Sequence, residues 1–450
     1  MPSIIPAQDA EGGKMPELEK FRGAMAGLAL GDALGAPLEG MKSGHIKDAF
    51  GYVTGFVDTQ AVWRNKPYRY RAPGIYTDDT QQALCLSESL VRCFGYQAKD
   101  FAKTLLSLWQ TFPETKSGAF RGIGPTFFKV MEQLAEGAEP DKTGLPSAGI
   151  GAAMRVAPVG LYFYDDHQRL LKAAIEQSLL THKDPRALAL AACLAYALAR
   201  AVSGGWQTLK PKERAEDLVC FAGNAEKIIE QEYIAALPSR VFDFFGLFYR
   251  SIEPLPHWMG MEHELVFRQI VNLANQAFPS EKITSPSQNF ALAAGVTALF
   301  LGTAGKDFMG GTLEAVNLGR DADSIAAMTG ALLGARFGES SIPHDWKAAL
   351  KNYEQVCLRG EALWQKSVAG LKLRRLKEME TELSIYANQE RDNFVKKMVA
   401  RGEYDPEALA KKREEKKRLQ ELAKAVARPK RRSKEGRRRR EKAPWRGWED

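Results

Sequence analysis

Apolar side chains recur at three- and four-residue intervals through Phe21–Leu30, Gln81–Cys93, Phe101–Trp109, Leu170–Leu180, Ala187–Val202, Phe290–Leu301 and Ile325–Phe337. That spacing lines them up on one face of an α-helix, so each segment predicts a helix with a buried side. Two of the segments, NFALAAGVTALFLG (residues 289–302) and SIAAMTGALLGARFG (residues 324–338), are crowded with Ala and Gly. Small side chains let helix axes approach closely, which predicts that these are central helices. Strand signals are sparse; Tyr52–Asp58 is the best and it is short. With no repeat period and no βαβ alternation, the pattern predicts one large all-α domain from about residue 15 to residue 370.

Beyond residue 370 the apolar periodicity thins. Residues 371–427 are dense in Lys, Arg and Glu, which predicts a charged helical extension exposed outside the core. Asp405-Pro406-Glu407 reads as a helix start, with an N-cap, a proline in the first helical position and an acid in the first turn. Residues 428–450 form a basic tail whose stretch Arg428–Lys442 holds ten basic and two acidic residues, a composition that predicts disorder.

Charge sharpens this division. The 450-residue chain carries a formal net charge of +8, but residues 401–450 alone carry 19 Lys/Arg against 10 Asp/Glu, leaving the remainder close to neutral. The basicity therefore belongs to the tail, and a nucleic-acid-binding body is not implied. The tail itself is expected either to be merely solvated or to make weak, salt-sensitive contacts with nucleic acid or an acidic surface. Five scattered cysteines without a CxxC pair argue against a thiolate zinc site and for a reducing, cytoplasmic setting. The first twenty residues lack the pattern of a secretory signal, and the longest apolar stretch, Ala187–Ala199, falls short of the ~20 residues of a membrane span.

Two polar clusters interrupt the helical pattern in the same way. Thr77-Asp78-Asp79-Thr80 leads into one predicted helix, and Asp321-Ala322-Asp323-Ser324 leads into another. Each alone is accounted for by helix capping, since hydroxyls and carboxylates satisfy the free amides of a first turn. Together they supply four carboxylates that would repel one another and take up protons unless cations neutralised them. An all-oxygen set without Cys or His favours hard cations such as Mg²⁺, Mn²⁺ or Ca²⁺. Adjacent helical side chains diverge by about 100°, so Asp78 and Asp79 suit two neighbouring cations better than one.

These residues carry a family resemblance. Phe21-Arg22-Gly23, Gly31-Asp32-Ala33-Leu34-Gly35-Ala36-Pro37-Leu38-Glu39, Tyr76-Thr77-Asp78-Asp79-Thr80, Ala152–Gly160, Thr181-His182 and Gly319–Ser324 occur in the order of the ADP-ribosylglycohydrolases. The chain resembles that family from Phe21 to about Gly338. The resemblance implies a single large orthogonal all-α domain with a binuclear metal cleft. Two Mg²⁺ (or Mn²⁺) ions are implied on Thr77, Asp78, Asp79, Asp321, Asp323 and Ser324, with Asp78 and Asp321 counted in the catalytic centre. Glu39 matches the family's mobile glutamate and takes the acid–base role. His182 matches a histidine close to the nucleotide. Asp32, in the same loop as Glu39, is expected to hydrogen-bond loop amides.

Two glycine-rich loops, containing Gly122 and Gly124 and then Ser147, Gly149 and Gly151, offer amides for a diphosphate or simply permit tight turns. The chain departs from the family at Arg320, which places a cation beside the acids where relatives have Gly, and at Ile150, where they commonly have Asn. The expected activity is metal-dependent hydrolysis of a ribosyl glycosidic bond, with an ADP-ribosyl group on a protein or small molecule as leading substrate and Arg320 as an anion contact. The alternatives are a smaller ribosyl nucleoside or nucleotide as substrate, or a catalytically silent ADP-ribose-binding relative.

Overall fold

The computed structural model describes residues 15–112, 117–280, 282–411 and 415. Among them there is no strand; two isolated bridges, Lys42 with Gly319 and Leu145 with His182, are the extent of β pairing. All seven periodic segments are helical, and helices that the periodicity left unmarked, Pro211–Tyr233 and His263–Ala277 among them, complete the domain. Tyr52–Asp58, the expected strand, is irregular. The Asn317 side chain takes the place of a neighbouring strand there: its Oδ1 accepts from the Val53 amide at 2.9 Å, and its Nδ2 donates to the Val53 carbonyl at 3.0 Å. Pro185–Val202 has the length and hydropathy of a membrane span, but 94% of it is buried within the protein, as a core helix would be.

The core is built around two helices packed at backbone distance, Leu18–Gly35 and Ala322–Phe337. Gly23, Gly27, Gly31 and Gly35 recur every fourth residue and therefore form one stripe. A methyl group at Gly27 would collide with the carbonyl of Gly330, and one at Gly31 with the carbonyl of Ala326. A methyl at Gly23 would meet the Gly334 carbonyl, so the two helices run antiparallel along the whole stripe. At its far end Gly35 lies against the backbone of Ala322 and Asp323. The end of the first helix, which carries Asp32, is thereby fixed beside the start of the second, which carries Asp323.

Past the domain, Leu376–Ala400 forms the helix predicted for the charged extension, and Asp405 Oδ1 caps the next turn by accepting from the amides of Glu407 and Ala408 at 2.9 and 3.0 Å. The expectation that this extension is exposed needs correction. Leu376, Met379, Glu380, Leu383, Ser384, Phe394 and Met398 of the helix are buried against the body. Leu376, Met379, Leu383, Phe394 and Met398 fall on one face, enough to dock it, while Ile385, Tyr386 and Val399 stay exposed. The basic stretch 428–442 lies outside the described residues.

Candidate active site

Both acidic clusters sit where the sequence puts them, at helix starts: Asp78 and Asp79 open the helix Asp78–Cys93, and Asp321 is the residue before Ala322–Phe337. They face one cleft of about 670 Å³. Glu39, Asp78, Asp79, Gly122, Gly124, Ser147, Gly149, Gly151, His182, Asp321, Asp323 and Ser324 all line it. Thr77 and Arg320 do not appear on its walls. A second cavity of about 640 Å³, bordered by Phe94, Tyr96 and Arg169, contains none of the paired acids.

Asp32 anchors the first cluster from below. It is fully buried, and its carboxylate accepts from the amide and hydroxyl of Thr77 (both 2.9 Å) and from the amide (3.1 Å) and hydroxyl (2.6 Å) of Thr80. These amides belong to the first turn of the Asp78–Cys93 helix, so Asp32 caps that helix from another one. The Thr77 hydroxyl is consequently engaged with Asp32. Asp78 faces the cleft, with its Oδ2 accepting from Gln82 Nε2 at 2.7 Å and its amide donating to the Arg121 carbonyl at 2.8 Å.

Three carboxylate oxygens behave differently. Asp79 Oδ2, Asp321 Oδ2 and Asp323 Oδ1 are buried and have no hydrogen-bond partner. Burial, followed by the neighbouring Asp32, raises the Asp78 carboxyl to about 8, and burial with Glu39 close by raises Asp321 to about 7. Asp79 and Asp323 are raised well above the ordinary carboxylate range, again first by burial and then by neighbouring acids. A group of buried acids with free oxygens suits a cation, and the donor set of carboxylates and hydroxyls is that of a hard ion. Among the described residues, no three His, Cys, Asp or Glu side chains yet close on a single point.

The cation that does face the acids is Arg71. Its Nη2 pairs with Glu39 Oε2 at 2.6 Å and its Nη1 with Asp323 Oδ2 at 3.5 Å. Nothing in the irregular segment before Thr77 signalled it, because no periodicity there says where a side chain points. Gly122, at φ +86°, stands against it: a Cβ there would come within 3.0 Å of Arg71 Nη2 and 3.4 Å of Asp78 Oδ1. Arg320 turns the other way, its Nη2 donating to Thr284 Oγ1 at 3.2 Å. Its backbone secures the Glu39 loop instead, through the Gly40 amide, which donates to the Arg320 carbonyl at 2.6 Å.

The far side of the cleft is basic and aromatic. His182 is buried, and burial together with Arg155 lowers it to about 3, so its ring is neutral at pH 7. Its Nδ1 lies 2.8 Å from Thr181 Oγ1, an oxygen that already accepts from Arg155 Nη2 at 2.7 Å. The Thr181 hydroxyl also donates to the Ser178 carbonyl at 3.5 Å; with its proton there, Nδ1–H donates to Thr181 Oγ1 and Nε2 faces the cleft as an acceptor. Arg155 also reaches Gln82 Oε1 at 2.8 Å, which joins this side to Asp78. Further along, Arg186 forms a two-pronged pair with Asp184 at 2.9 and 2.8 Å. Its guanidinium carbon lies 3.9, 4.7 and 5.3 Å from the ring centroids of Phe244, Phe278 and Phe290. At Ile150 a polar side chain arrives from elsewhere: Asn289 Oδ1 accepts from the Ile150 amide at 3.2 Å. No local sequence pattern marks Asn289 or the aromatic box, which assemble from distant segments.

The sequence model of the ADP-ribosylglycohydrolase family matches residues 14–375. An uncharacterized protein of Archaeoglobus fulgidus is 31% identical over 336 residues, covering 75% of this chain and 93% of its own length. The ADP-ribosylarginine hydrolase Tri1 of Serratia proteamaculans is 26% identical over 367 residues, covering 81% and 82%. A solved structure titled as an ADP-ribosylglycohydrolase-related protein complex superposes with a TM-score of 0.52 at 29% identity, covering 78% of this chain and 98% of that one.

Proposed function

We propose, from the premise that this chain belongs to the ADP-ribosylglycohydrolase family and is a glycosidic hydrolase, that it cleaves the ribosyl bond of an ADP-ribosyl group on a protein or small molecule in a metal-dependent reaction. The observation that carries this reading is the trio of buried, unpartnered carboxylate oxygens on Asp79, Asp321 and Asp323 at one end of a cleft large enough for a nucleotide. Thr77, Asp78, Asp79, Asp321, Asp323 and Ser324 would hold two Mg²⁺ or Mn²⁺ ions; the Thr77 hydroxyl would have to share its Asp32 contact to join them. Bound there, the ions supply Lewis-acid stabilisation and an acidified water.

The chain's own residues divide the remaining work. Glu39, at the mouth and 41% exposed, exchanges a proton with water or the leaving atom as it moves between Arg71 and the substrate. Arg71 offsets the charge of Glu39 and Asp323 while the cleft is open. The loops of Gly122, Gly124, Ser147, Gly149 and Gly151 leave room along the wall for a diphosphate, although the Ser147 and Gly149 amides would have to exchange their present partners, the Leu145 carbonyl and Ser147 Oγ, to bind it. His182 meets the ligand through Nε2 from the opposite wall, and the Arg186 box gives a flat floor at the distal end for a base.

The test is release of ADP-ribose from ADP-ribosylated arginine and serine peptides and from small ADP-ribosyl compounds, with Mg²⁺ or with a chelator. Cleavage that needs the ion, and that falls by roughly 10²-fold in Glu39→Gln with binding little changed, is expected. Turnover that survives chelation overturns the metal part. Cleavage of nucleosides or nucleotides but of no ADP-ribosyl compound moves the substrate to the smaller class.

A further inference from the structure

The family match ends at residue 375, and the helix Leu376–Ala400 begins at the next residue. That helix puts a carboxylate directly beneath the first acidic cluster. Glu380 is fully buried; its Oε1 accepts from the Tyr76 hydroxyl at 2.6 Å, and its Oε2 accepts from Gln81 Nε2 and Arg121 Nη2, both at 2.8 Å. Tyr76 immediately precedes Thr77, and Gln81 lies in the first turn of the helix that Asp78 and Asp79 open. Arg121 closes the circuit. Its Nε donates to the Tyr76 carbonyl at 2.9 Å, its amide donates to Gln81 Oε1 at 2.9 Å, and its carbonyl accepts the Asp78 amide at 2.8 Å. Ser384, one turn further, accepts from Arg121 Nη1 at 2.7 Å and donates to the Ala119 carbonyl at 2.6 Å.

The same helix grips a second segment of the site. Phe394 packs on Tyr70 with ring centroids 4.9 Å apart, and Tyr70 is followed by Arg71, the partner of Glu39 and Asp323. One helix outside the family domain therefore touches the two segments that aim Asp78 and Arg71. A buried carboxylate that receives three hydrogen bonds, one of them an ion pair, is costly to place and costly to break, so it fixes geometry rather than adding surface adhesion.

We propose that Leu376–Ala400 is a strap on which this chain's active site depends, with Glu380 the positioning residue: it sets Tyr76 and Arg121, and through them Asp78. The proposal builds on the hydrolase reading above. Outer-shell partners of this kind are typically worth 10–100-fold in activity or metal affinity. In the full chain, Glu380→Gln keeps the side-chain shape but sets an amide against donors and removes the charge facing Arg121; Glu380→Ala removes the hub. We expect kcat to fall about 10-fold in the first and about 100-fold in the second, with KM within about threefold because the distal wall is not touched. The affinity for Mn²⁺, read by titration calorimetry, should fall about 10-fold or more, and hydrogen exchange should quicken at residues 76–82 and 119–124. Glu382→Gln, on the exposed face of the same helix, should match the wild type throughout.

Glu380→Gln with wild-type kcat per folded molecule, wild-type Mn²⁺ affinity and unchanged exchange would overturn the strap, whether or not Glu380→Ala folds. If the wild type itself hydrolyses no ribosyl substrate, the hydrolase reading fails, while the exchange comparison still decides the strap.

Discussion

Asp32 and Glu380 are fully buried, and Asp79 and Asp323 nearly so, at 2% and 5% exposure. The first pair sits in the bracing beneath the cleft and the second pair on its wall. Burial does not separate the two regions; hydrogen bonding does. Asp32 receives four donors and Glu380 three. Asp79, Asp321 and Asp323 each leave one buried oxygen with none. A buried charge with full partners holds a structure together, whereas one without partners raises the energy of the empty site and is satisfied only when something binds. The braced acids thus hold the geometry of the cleft, and the unpaired ones keep the capacity to bind.

The comparison is broken most directly at the wall. Asp321→Ala and Asp78→Ala should lower turnover by about 10³-fold or more, as when one member of a cooperating set is removed, while far-ultraviolet circular dichroism stays helical. Without divalent ions, Asp321→Ala should melt at the wild-type temperature or above, because a repelling carboxylate is gone. Next in size is the brace: Asp32→Ala strands the Thr77 and Thr80 amides and should cost about 2–4 kcal/mol in denaturant unfolding, with or without Mg²⁺. An Asp32→Ala protein of wild-type stability would show that the two regions are not divided as described.

A smaller effect follows from the raised carboxyls. In the unfolded chain Asp titrates near 3.9, but in the folded chain Asp321 titrates at about 7 and Asp78 at about 8. Between those limits the folded state binds more protons, so the stability it gains from them is complete below about pH 4 and is lost as pH rises through 7 and 8. Chelated protein should therefore lose on the order of 1–2 kcal/mol between pH 7 and pH 9, and saturating Mg²⁺ should flatten that slope. A slope identical with and without the ion would separate these acids from metal binding. The smallest change is expected at Arg320, which has φ +56°. Arg320→Gly should stabilise the chain by no more than about 1 kcal/mol and leave KM within about threefold. A tenfold rise in KM would return its guanidinium to the substrate.

What the sequence made legible follows the same line. The acids of the cleft were found because each pair opens a helix whose apolar periodicity is strong, so local spacing locates them. Arg71 meets Asp323 across 252 residues, and Glu380 meets Tyr76 across 304. No local pattern encodes contacts of that range, and in the charged run around Glu380 one buried acid looks like its solvated neighbours. Arg320 shows the converse error. Adjacency to Asp321 suggested a shared site, but a left-handed backbone at that residue sends the side chain toward Thr284. Asp32 was read correctly as a partner of loop amides, although the helix it caps is a different one from its own.

The glycine stripe joining Leu18–Gly35 to Ala322–Phe337 has one more consequence. Because backbone meets backbone along it, the separation of the helices is set by atomic radii and not by side chains that could adjust their rotamers. It works as a gauge block: the span between the Asp32-capped cluster and Asp321–Ser324 is machined into the main chain, with no screw to turn. Alanine at Gly31 would reset that span by the thickness of a methyl group, moving both halves of the wall apart together. The tolerance of the cleft is therefore written behind its wall, in residues that have no side chain at all.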